Sequence, residues 1–132
     1  MTTIHAGLYR LTRGRVGAKL KGVPILLLTT TGRKSGQPRT SPVMDIRVEG
    51  DTYVIASNNG SERHPAWFLN LEANPEVHVV QGSRSYDAKA VLLDDAERDR
   101  VYAQAKEQMD NFVRYEQRAS RTIPVVRLDP QD

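Results

Sequence analysis

The sequence contains no cysteine and few other side chains that carry out chemistry unaided. Without cysteine there is no thiol nucleophile, no thiolate metal site and no disulfide, a composition compatible with a reducing cytoplasm. The three histidines, His5, His64 and His78, have no metal-ligand spacing such as H-E-x-x-H. The G-x-S-x-G elbow, the P-loop and the G-x-G-x-x-G fingerprint are also missing. Hydrolysis by the protein's own acids and bases is therefore poorly supported, and we expect no metal site.

Long apolar runs are missing as well. No stretch of 18 apolar residues occurs, and the opening MTTIHAGLYR lacks the apolar core of a secretory signal. We therefore expect neither a membrane span nor export, and we predict a cytoplasmic protein. The 132 residues fit one domain that can bury a core without disulfides or a structural metal.

Acidic residues are absent from the first 44 positions, which hold eight lysines and arginines. The first acid is Asp45, and the remaining 88 residues carry 11 basic and 16 acidic side chains. The net charge of +3 therefore conceals a basic end and an acidic remainder. A positive field of this kind attracts polyanions, acidic cofactors or anionic lipid, and the field alone does not choose among them.

The first segment, residues 1–22, is predicted to contain a basic amphipathic helix. Ile4, Leu8 and Leu11 fall on one stripe of residues 3–13, and arginines lie opposite. Such a helix packs on the rest of the protein, covers a site, or makes peripheral contact with the inner membrane face. These alternatives stay open from the sequence.

Residues 23–132 are predicted to form one domain of about six mostly antiparallel strands with helical additions. A helix of about two turns begins at Pro65, and a second runs from Asp94 to Ala119 with an interruption near Asp110. The first three strands are predicted to form a meander, and this set of elements favours a small β-barrel of the α+β class. Strands are predicted at 25–31, 39–49, 52–57, 76–81, 84–93 and 122–128.

A cationic turn follows the first predicted strand. In residues 25–39, ILLLTTTGRKSGQPR, the cations Arg33, Lys34 and Arg39 lie close together. The Ser35 hydroxyl and the N–H groups near the two glycines can bind an anion beside them. The turn is therefore a candidate phosphate or carboxylate cradle, and the alternative is a solvated hairpin loop.

Further residues indicate a slot for a flat ring. Trp67 and Phe68 are successive helix residues and point to different sides, so one can enter the core while the other lines a cleft. Ser57 and Asn58 end a predicted strand and can hydrogen-bond a ligand there. An anion cradle, an apolar slot and a few donors are what a protein needs when a cofactor supplies the reactivity.

Five stretches together resemble a known family. LLLTTTGRKSGQPR, SP, VIAS, HPAWFLNLEANPEV and SRTIPVVRLDP occur in the order and near the spacing of the deazaflavin-dependent nitroreductases and quinone reductases. The resemblance runs from Val23 to Pro130, and the G-R-K-[ST]-G-Q-P-R segment combined with N/H-P-x-W-x-x-N-L is specific. It implies a split β-barrel, similar to FMN-binding barrels, and a reductase that uses coenzyme F420.

The resemblance also implies roles for individual residues. Matching positions in similar proteins grip the phosphate and oligoglutamate tail of the cofactor or lie near its ring, and others line the substrate side. Ser57 and Tyr115 are the candidate catalytic groups that orient the acceptor or relay a proton. The cofactor-binding candidates are Arg33, Lys34, Ser35, Arg39, Pro42, Ser57, Asn58 and Trp67, and the substrate-binding candidates are Met44, Met109, Phe112 and Tyr115.

The chain departs from the family member that activates nitroimidazoles, which has tyrosines at the positions of Met44, Met109 and Phe112. A more apolar pocket favours quinones, conjugated enones or coumarin-like lactones over nitroaromatics as hydride acceptors. Alternatives are a split barrel loaded with FMN and a non-catalytic deazaflavin carrier. A nucleic-acid-binding barrel is disfavoured because aromatic residues are few and not interleaved with basic ones. The oligomeric state is left open.

Overall fold

The structure, a computed structural model, describes residues 24–131, so the predicted N-terminal helix lies outside the described residues. The described chain has seven strands, three α-helices and a 3-10 turn at Asn58–Gly60. The helices are α1 (Ala66–Ala73), α2 (Asp95–Gln108) and α3 (Asn111–Arg118). The strands are β1 (Ile25–Thr31), β2 (Pro38–Met44), β3 (Ile46–Val48), β4 (Asp51–Ile55), β5 (Glu76–Gln81), β6 (Arg84–Leu92) and β7 (Val125–Pro130).

The seven strands form one antiparallel sheet that curls on itself, in the order β2-β1-β5-β6-β7-β4-β3. β2 and β3 lie at opposite ends of this order, yet Asp45 alone separates them along the chain. Residues 38–48 therefore pair with β1 through their first half and with β4 through their second half. This sharing brings the two ends of the sheet together, and the predicted split barrel is confirmed.

The crossing at Asp45 also corrects two details of the prediction. The prediction of a single strand at 39–49 is wrong, because the chain passes within this range from one end of the sheet to the other. The sheet therefore has seven strands in place of six. The expected meander consists of two separate hairpins, β1 with β2 and β3 with β4.

Buried polar side chains hold the crossing. Asp45 is 5% exposed, and its carboxylate accepts hydrogen bonds from Gln81 Nε2 at 3.0 Å and from an Arg47 guanidinium nitrogen at 3.1 Å. The bond to Asp45 raises the pKa of Arg47. Gln81 accepts in turn from the Tyr86 hydroxyl at 3.0 Å, and the Asp45 N–H donates to the Pro24 carbonyl. A buried carboxylate is tolerated here because its hydrogen bonds replace those of water.

Apolar side chains pack on both faces of the curled sheet. On β4, Val54 belongs to one cluster while Tyr53 and Ile55 belong to the other, as the alternation of a strand requires. α1 contributes Phe68 to the first cluster, and α2 and α3 contribute to the second, for example through Phe112. The predicted division between successive aromatic residues is confirmed, since Phe68 enters the core while Trp67 stays half-buried.

Local sequence signals place several element ends as predicted. The Asp94 carboxylate caps α2 by accepting from the Glu97 N–H at 2.9 Å, and the chain leaves helical geometry at Met109, between α2 and α3. Pro42 lies on β2, at one end of the sheet order, where its missing N–H breaks no inner pairing. Pro65 is the N-cap of α1 in extended conformation, so the helix begins at Ala66, one position after the predicted start.

Replacing Leu28 by alanine is expected to destabilise the fold by about 2–5 kcal/mol, because this fully buried side chain would leave a cavity in the first cluster. The matched change Leu92→Ala removes the same atoms from a side chain that is 53% exposed and should cost under about 0.5 kcal/mol. Urea unfolding of both variants measures the difference, and equal losses would contradict the described core.

Candidate active site

The cationic turn, residues 32–37, is closed by short backbone hydrogen bonds. The Gly32 N–H donates to the Gln37 carbonyl and the Gly36 N–H to the Gly32 carbonyl, both at 2.8 Å. Gly36 has a φ of 73°, which glycine adopts without steric cost. A Cβ at Gly32 would lie 2.7 Å from the Ser35 hydroxyl oxygen and 3.2 Å from the Gln37 carbonyl oxygen, so a side chain there would displace both groups.

Asn70 of α1 fixes where this turn starts. Its side-chain oxygen accepts from the Arg33 N–H at 3.1 Å and from the Arg33 guanidinium at 2.9 Å. Its amide nitrogen donates to the Thr30 hydroxyl at 3.1 Å. Asn70 is 4% exposed, so these bonds form largely away from water. The helix therefore orients the first cation of the turn through a side chain 37 residues further along the chain.

A groove of about 400 Å³, here called the cationic groove, lies between the turn, β2 and α1. Its lining includes three cationic side chains, and in the described part of the chain no carboxylate lines it. The Arg39 guanidinium donates to the Ser35 hydroxyl at 3.3 Å, which keeps these two groups together. The groove is lined by Gly32, Arg33, Lys34, Ser35, Arg39, Thr40, Ser41, Ala66, Trp67 and Asn70.

A second cavity of about 200 Å³, here called the acceptor cavity, shares Trp67 with the cationic groove. β2 contributes to both, with residues 39–41 in the groove and residues 42–44 in the cavity. Seven of its ten lining residues are apolar, and the nearly buried Ser57 and two asparagines add polar surface. The cavity is lined by Pro42, Val43, Met44, Ile55, Ser57, Asn58, Asn59, Pro65, Trp67 and Phe112.

The structure brings together most of the residues singled out in the sequence. The four predicted cradle residues line the cationic groove, and Trp67 lines both spaces. Pro42, Met44, Ser57, Asn58 and Phe112 line the acceptor cavity. Met109 and Tyr115 pack into the second apolar cluster instead, and the Tyr115 ring meets the Phe112 ring edge-on with centroids 5.9 Å apart. The roles assigned to all these residues remain predictions.

Phe112 is positioned by Tyr102 of α2. The Tyr102 hydroxyl donates to the Phe112 carbonyl at 2.7 Å, and the two rings meet at 70° with centroids 5.9 Å apart. Burial raises the pKa of Tyr102 to about 12. This neutral, buried donor fastens the start of α3 to α2 and so sets one wall of the acceptor cavity.

Asn70 and Arg121 are the positions that sequence reasoning missed. A usable signal existed for Asn70, because it follows Trp67 by three positions and therefore shares a helix face with it. Arg121 hydrogen-bonds groups 57 to 65 residues earlier, in the loop that carries Ser57 and Asn58. No local sequence pattern predicts contacts between residues so far apart along the chain.

A Ser–His–Asp series lies away from this site, on β5 and β6. The fully buried His78 ring meets the Ser85 hydroxyl at 2.8 Å through Nε2 and the Asp87 carboxylate at 2.9 Å through Nδ1. Hydrolases use this order of groups. Here, however, Ser85 lies in a paired strand opposite Val80, not on a turn that aims free N–H groups at an oxyanion. We therefore interpret the series as hydrogen bonding that satisfies a buried imidazole.

Within residues 24–131, no three or more histidine, aspartate or glutamate side chains are arranged to hold a metal ion. Over the same range, the helices are too short and too polar to cross a membrane.

Fold and site together define a split-barrel protein with a cation-lined groove beside a second cavity of mixed polarity. A solved F420-H2 dependent reductase shares this fold, with 36% identity and a TM-score of 0.73 over 80% of this chain and 94% of that one. HutZ, a heme storage protein of Vibrio cholerae, has a TM-score of 0.64 at 18% identity and covers 97% of this chain and 91% of its own. The second likeness concerns the fold alone.

The sequence comparisons identify the family. The model of the F420H(2)-dependent quinone reductases matches residues 1–130. An F420H(2)-dependent quinone reductase of Mycobacterium tuberculosis H37Rv is 41% identical over 130 residues, which are 95% of this chain and 87% of that protein. The chain belongs to the F420H(2)-dependent quinone reductase family. The expected F420-dependent oxidoreductase on a split barrel is confirmed, and the cations and hydroxyl of the cationic groove fit the cofactor's phosphate and carboxylates.

Asn70→Ala is expected to lower the free energy of unfolding by about 1–3 kcal/mol, because it removes bonds to Arg33 and Thr30 in a buried setting. It should also weaken binding of tripolyphosphate, the simplest polyanion that probes the groove. Asn74→Ala, which removes an exposed bond to the Glu76 N–H, is the control and should leave that affinity unchanged. Calorimetric titration measures both, and equal affinities of Asn70→Ala and the unsubstituted protein would refute the anchoring role.

Tyr102 is expected to make stability fall at high pH. Its pKa is about 12 in the folded protein and near 10 in the unfolded chain, so its contribution is complete below about pH 10 and lost between pH 10 and 12. Tyrosinate absorbance should show one hydroxyl that titrates near 12 and disappears in Tyr102→Phe. If the hydroxyl lost in Tyr102→Phe instead titrated near 10, the burial of the Tyr102 hydroxyl would be refuted.

Proposed function

We propose that this protein transfers a hydride from reduced coenzyme F420 to quinones and related conjugated acceptors, such as enones or coumarin-like lactones. The observation that supports this most directly is the adjacency of two unlike spaces. A groove lined by cations shares the Trp67 wall with a cavity lined mainly by apolar side chains. The groove thereby matches the anionic tail of the cofactor, and the cavity matches a flat acceptor.

The cationic groove supports binding of the cofactor tail. Arg33, Lys34 and Arg39 are exposed side chains on a short, closed piece of backbone, and the Ser35 hydroxyl lies among them. Guanidinium and ammonium groups bind phosphate and carboxylate through charge-assisted hydrogen bonds. Because Asn70 orients Arg33 before any ligand arrives, less of the binding free energy is lost in ordering the site.

The acceptor cavity supports a flat, weakly polar substrate. Val43, Met44, Ile55 and Phe112 form its apolar walls. Such walls favour a quinone or enone, whose faces are apolar and whose polar atoms are few, over acceptors that need several hydrogen bonds. Nitroaromatic compounds are for this reason expected to be poorer acceptors than quinones.

Reduced F420 supplies the hydride when it is bound. A quinone that takes up this hydride and one proton becomes a hydroquinone, which balances the reaction. The protein holds the acceptor in the cavity, excludes water, and presents the Ser57 hydroxyl as a donor to the acceptor oxygen on which charge develops. Ser57 lines the cavity while Tyr115 contacts Phe112 behind it, so Ser57 is the better candidate for orienting or protonating that oxygen.

Replacing Lys34 and Arg39 together by alanine is expected to weaken F420 binding by at least about 100-fold, because charge-assisted bonds contribute about 1.5–3 kcal/mol each. Quenching of Trp67, the one tryptophan of the sequence, measures the affinity. Turnover is then compared across a naphthoquinone, an enone, a coumarin and a nitroimidazole, following the return of the oxidised cofactor's absorbance.

The double variant Lys89→Ala with Arg100→Ala is the matched control, since it removes one lysine and one arginine from exposed positions outside the groove. Its affinity for F420 should stay within about threefold of the unsubstituted protein at moderate salt. Equal losses in the two double variants would mean that overall charge, not this groove, binds the cofactor. Turnover with none of the four acceptors would refute the proposed function.

A further inference from the structure

The loop that carries Ser57 and Asn58 has an unusual backbone. Three consecutive residues have positive φ, namely Asn58 at 47°, Asn59 at 56° and Gly60 at 79°. Glycine adopts this region freely and asparagine with less penalty than most residues, but two such asparagines in succession still raise the conformational free energy. Conformations of this kind persist only where surrounding contacts hold them.

Arg121, which follows α3, supplies those contacts through its guanidinium. The side chain is half-buried, and all three of its nitrogens donate to the loop. Burial lowers the pKa of Arg121, although the Glu62 carboxylate opposes this. Its bonds are Nε to the Ser61 carbonyl (2.9 Å), one terminal nitrogen to His64 Nδ1 (2.9 Å), and the other to the carbonyls of Ala56 (3.0 Å), Ser57 (3.1 Å) and Arg63 (3.2 Å).

Two neighbours of Arg121 contact the same loop. The Arg118 guanidinium donates to the Asn59 carbonyl at 3.1 Å, and the Ser120 hydroxyl bonds the Glu62 carboxylate. Arg118 also packs against Gly60, where a Cβ would lie 3.0 Å from the Arg118 Cβ. Residues 118–121 therefore hold the loop along its length, and Arg121 joins its start at Ser57 to its end at His64.

We propose that Arg121 is a positioning residue for hydride transfer, an inference that rests on the proposed function. By binding the Ala56 and Ser57 carbonyls it fixes the backbone from which the Ser57 and Asn58 side chains enter the acceptor cavity. It does not line that cavity or the cationic groove. Lysine cannot replace it, because a single ammonium does not reproduce a planar fork that reaches five acceptors.

Arg121→Gln and the milder Arg121→Lys are therefore expected to lower kcat with the quinone by at least about tenfold, as small misplacements of reacting groups do. Affinity for tripolyphosphate in the cationic groove should change by less than about twofold, because the loop does not line that groove. In the protein without cofactor, amide hydrogen exchange of residues 57–64 should accelerate, while that of the cationic turn should not.

Arg127→Gln is the matched control. It removes an arginine of similar exposure on β7, whose partners Asp129 and Glu97 lie outside the site, and it should lower stability while leaving kcat unchanged. Equal kcat losses in the Arg121 and Arg127 variants would mean that Arg121 only stabilises the fold, and would overturn the inference. So would unchanged exchange of residues 57–64.

The two proposals fail in different ways. No turnover by the unsubstituted protein would refute the proposed function, whatever the variants do. Turnover by the unsubstituted protein, with kcat retained in both Arg121 variants, would overturn only the positioning role.

Discussion

The crossing of the chain at Asp45, from one end of the sheet to the other, is the constraint on which the site depends. It draws β2 and β4 into contact although the two strands are not paired with each other. The acceptor cavity lies beside this unpaired seam, between Pro42–Met44 and the end of β4 at Ile55. In a small barrel closed by hydrogen bonds all round, side chains fill the interior. Because β2 and β4 are not hydrogen-bonded to each other, a ligand can bind between them while the core stays filled by side chains.

Two side chains that lie far along the chain from their partners give the site its shape. Asn70 joins α1 to the cationic turn, and Arg121 joins the segment after α3 to the loop at Ser57. Both side chains hydrogen-bond backbone groups as well as side chains, so each one fixes the backbone conformation of a loop. Loops that carry functional groups gain precision when rigid elements support them in this way. The functional groups on both loops are therefore held in defined positions.

The sequence predicted the elements well where the signal was local. The buried β1 strand, the cap at Asp94 and the division between Trp67 and Phe68 all follow from residues a few positions apart. The cationic turn is predictable because Arg33, Lys34 and Arg39 lie close together just after a strand pattern. The strand break at Asp45 was not visible, since its cause is a hydrogen-bonded network with Gln81 on β5. The roles of Asn70 and Arg121 could not be predicted for the same reason, because their partners lie 37 to 65 residues away along the chain.

Trp67 forms part of the wall of both the groove and the cavity, and one side chain occupies one rotamer at a time. If the ligand of either space favours one orientation of the indole, the other space is reshaped in the same event. Thermodynamic reciprocity then requires each ligand to alter the affinity of the other by an equal factor. A single shared ring would thus couple the binding of donor and acceptor without any movement of the barrel.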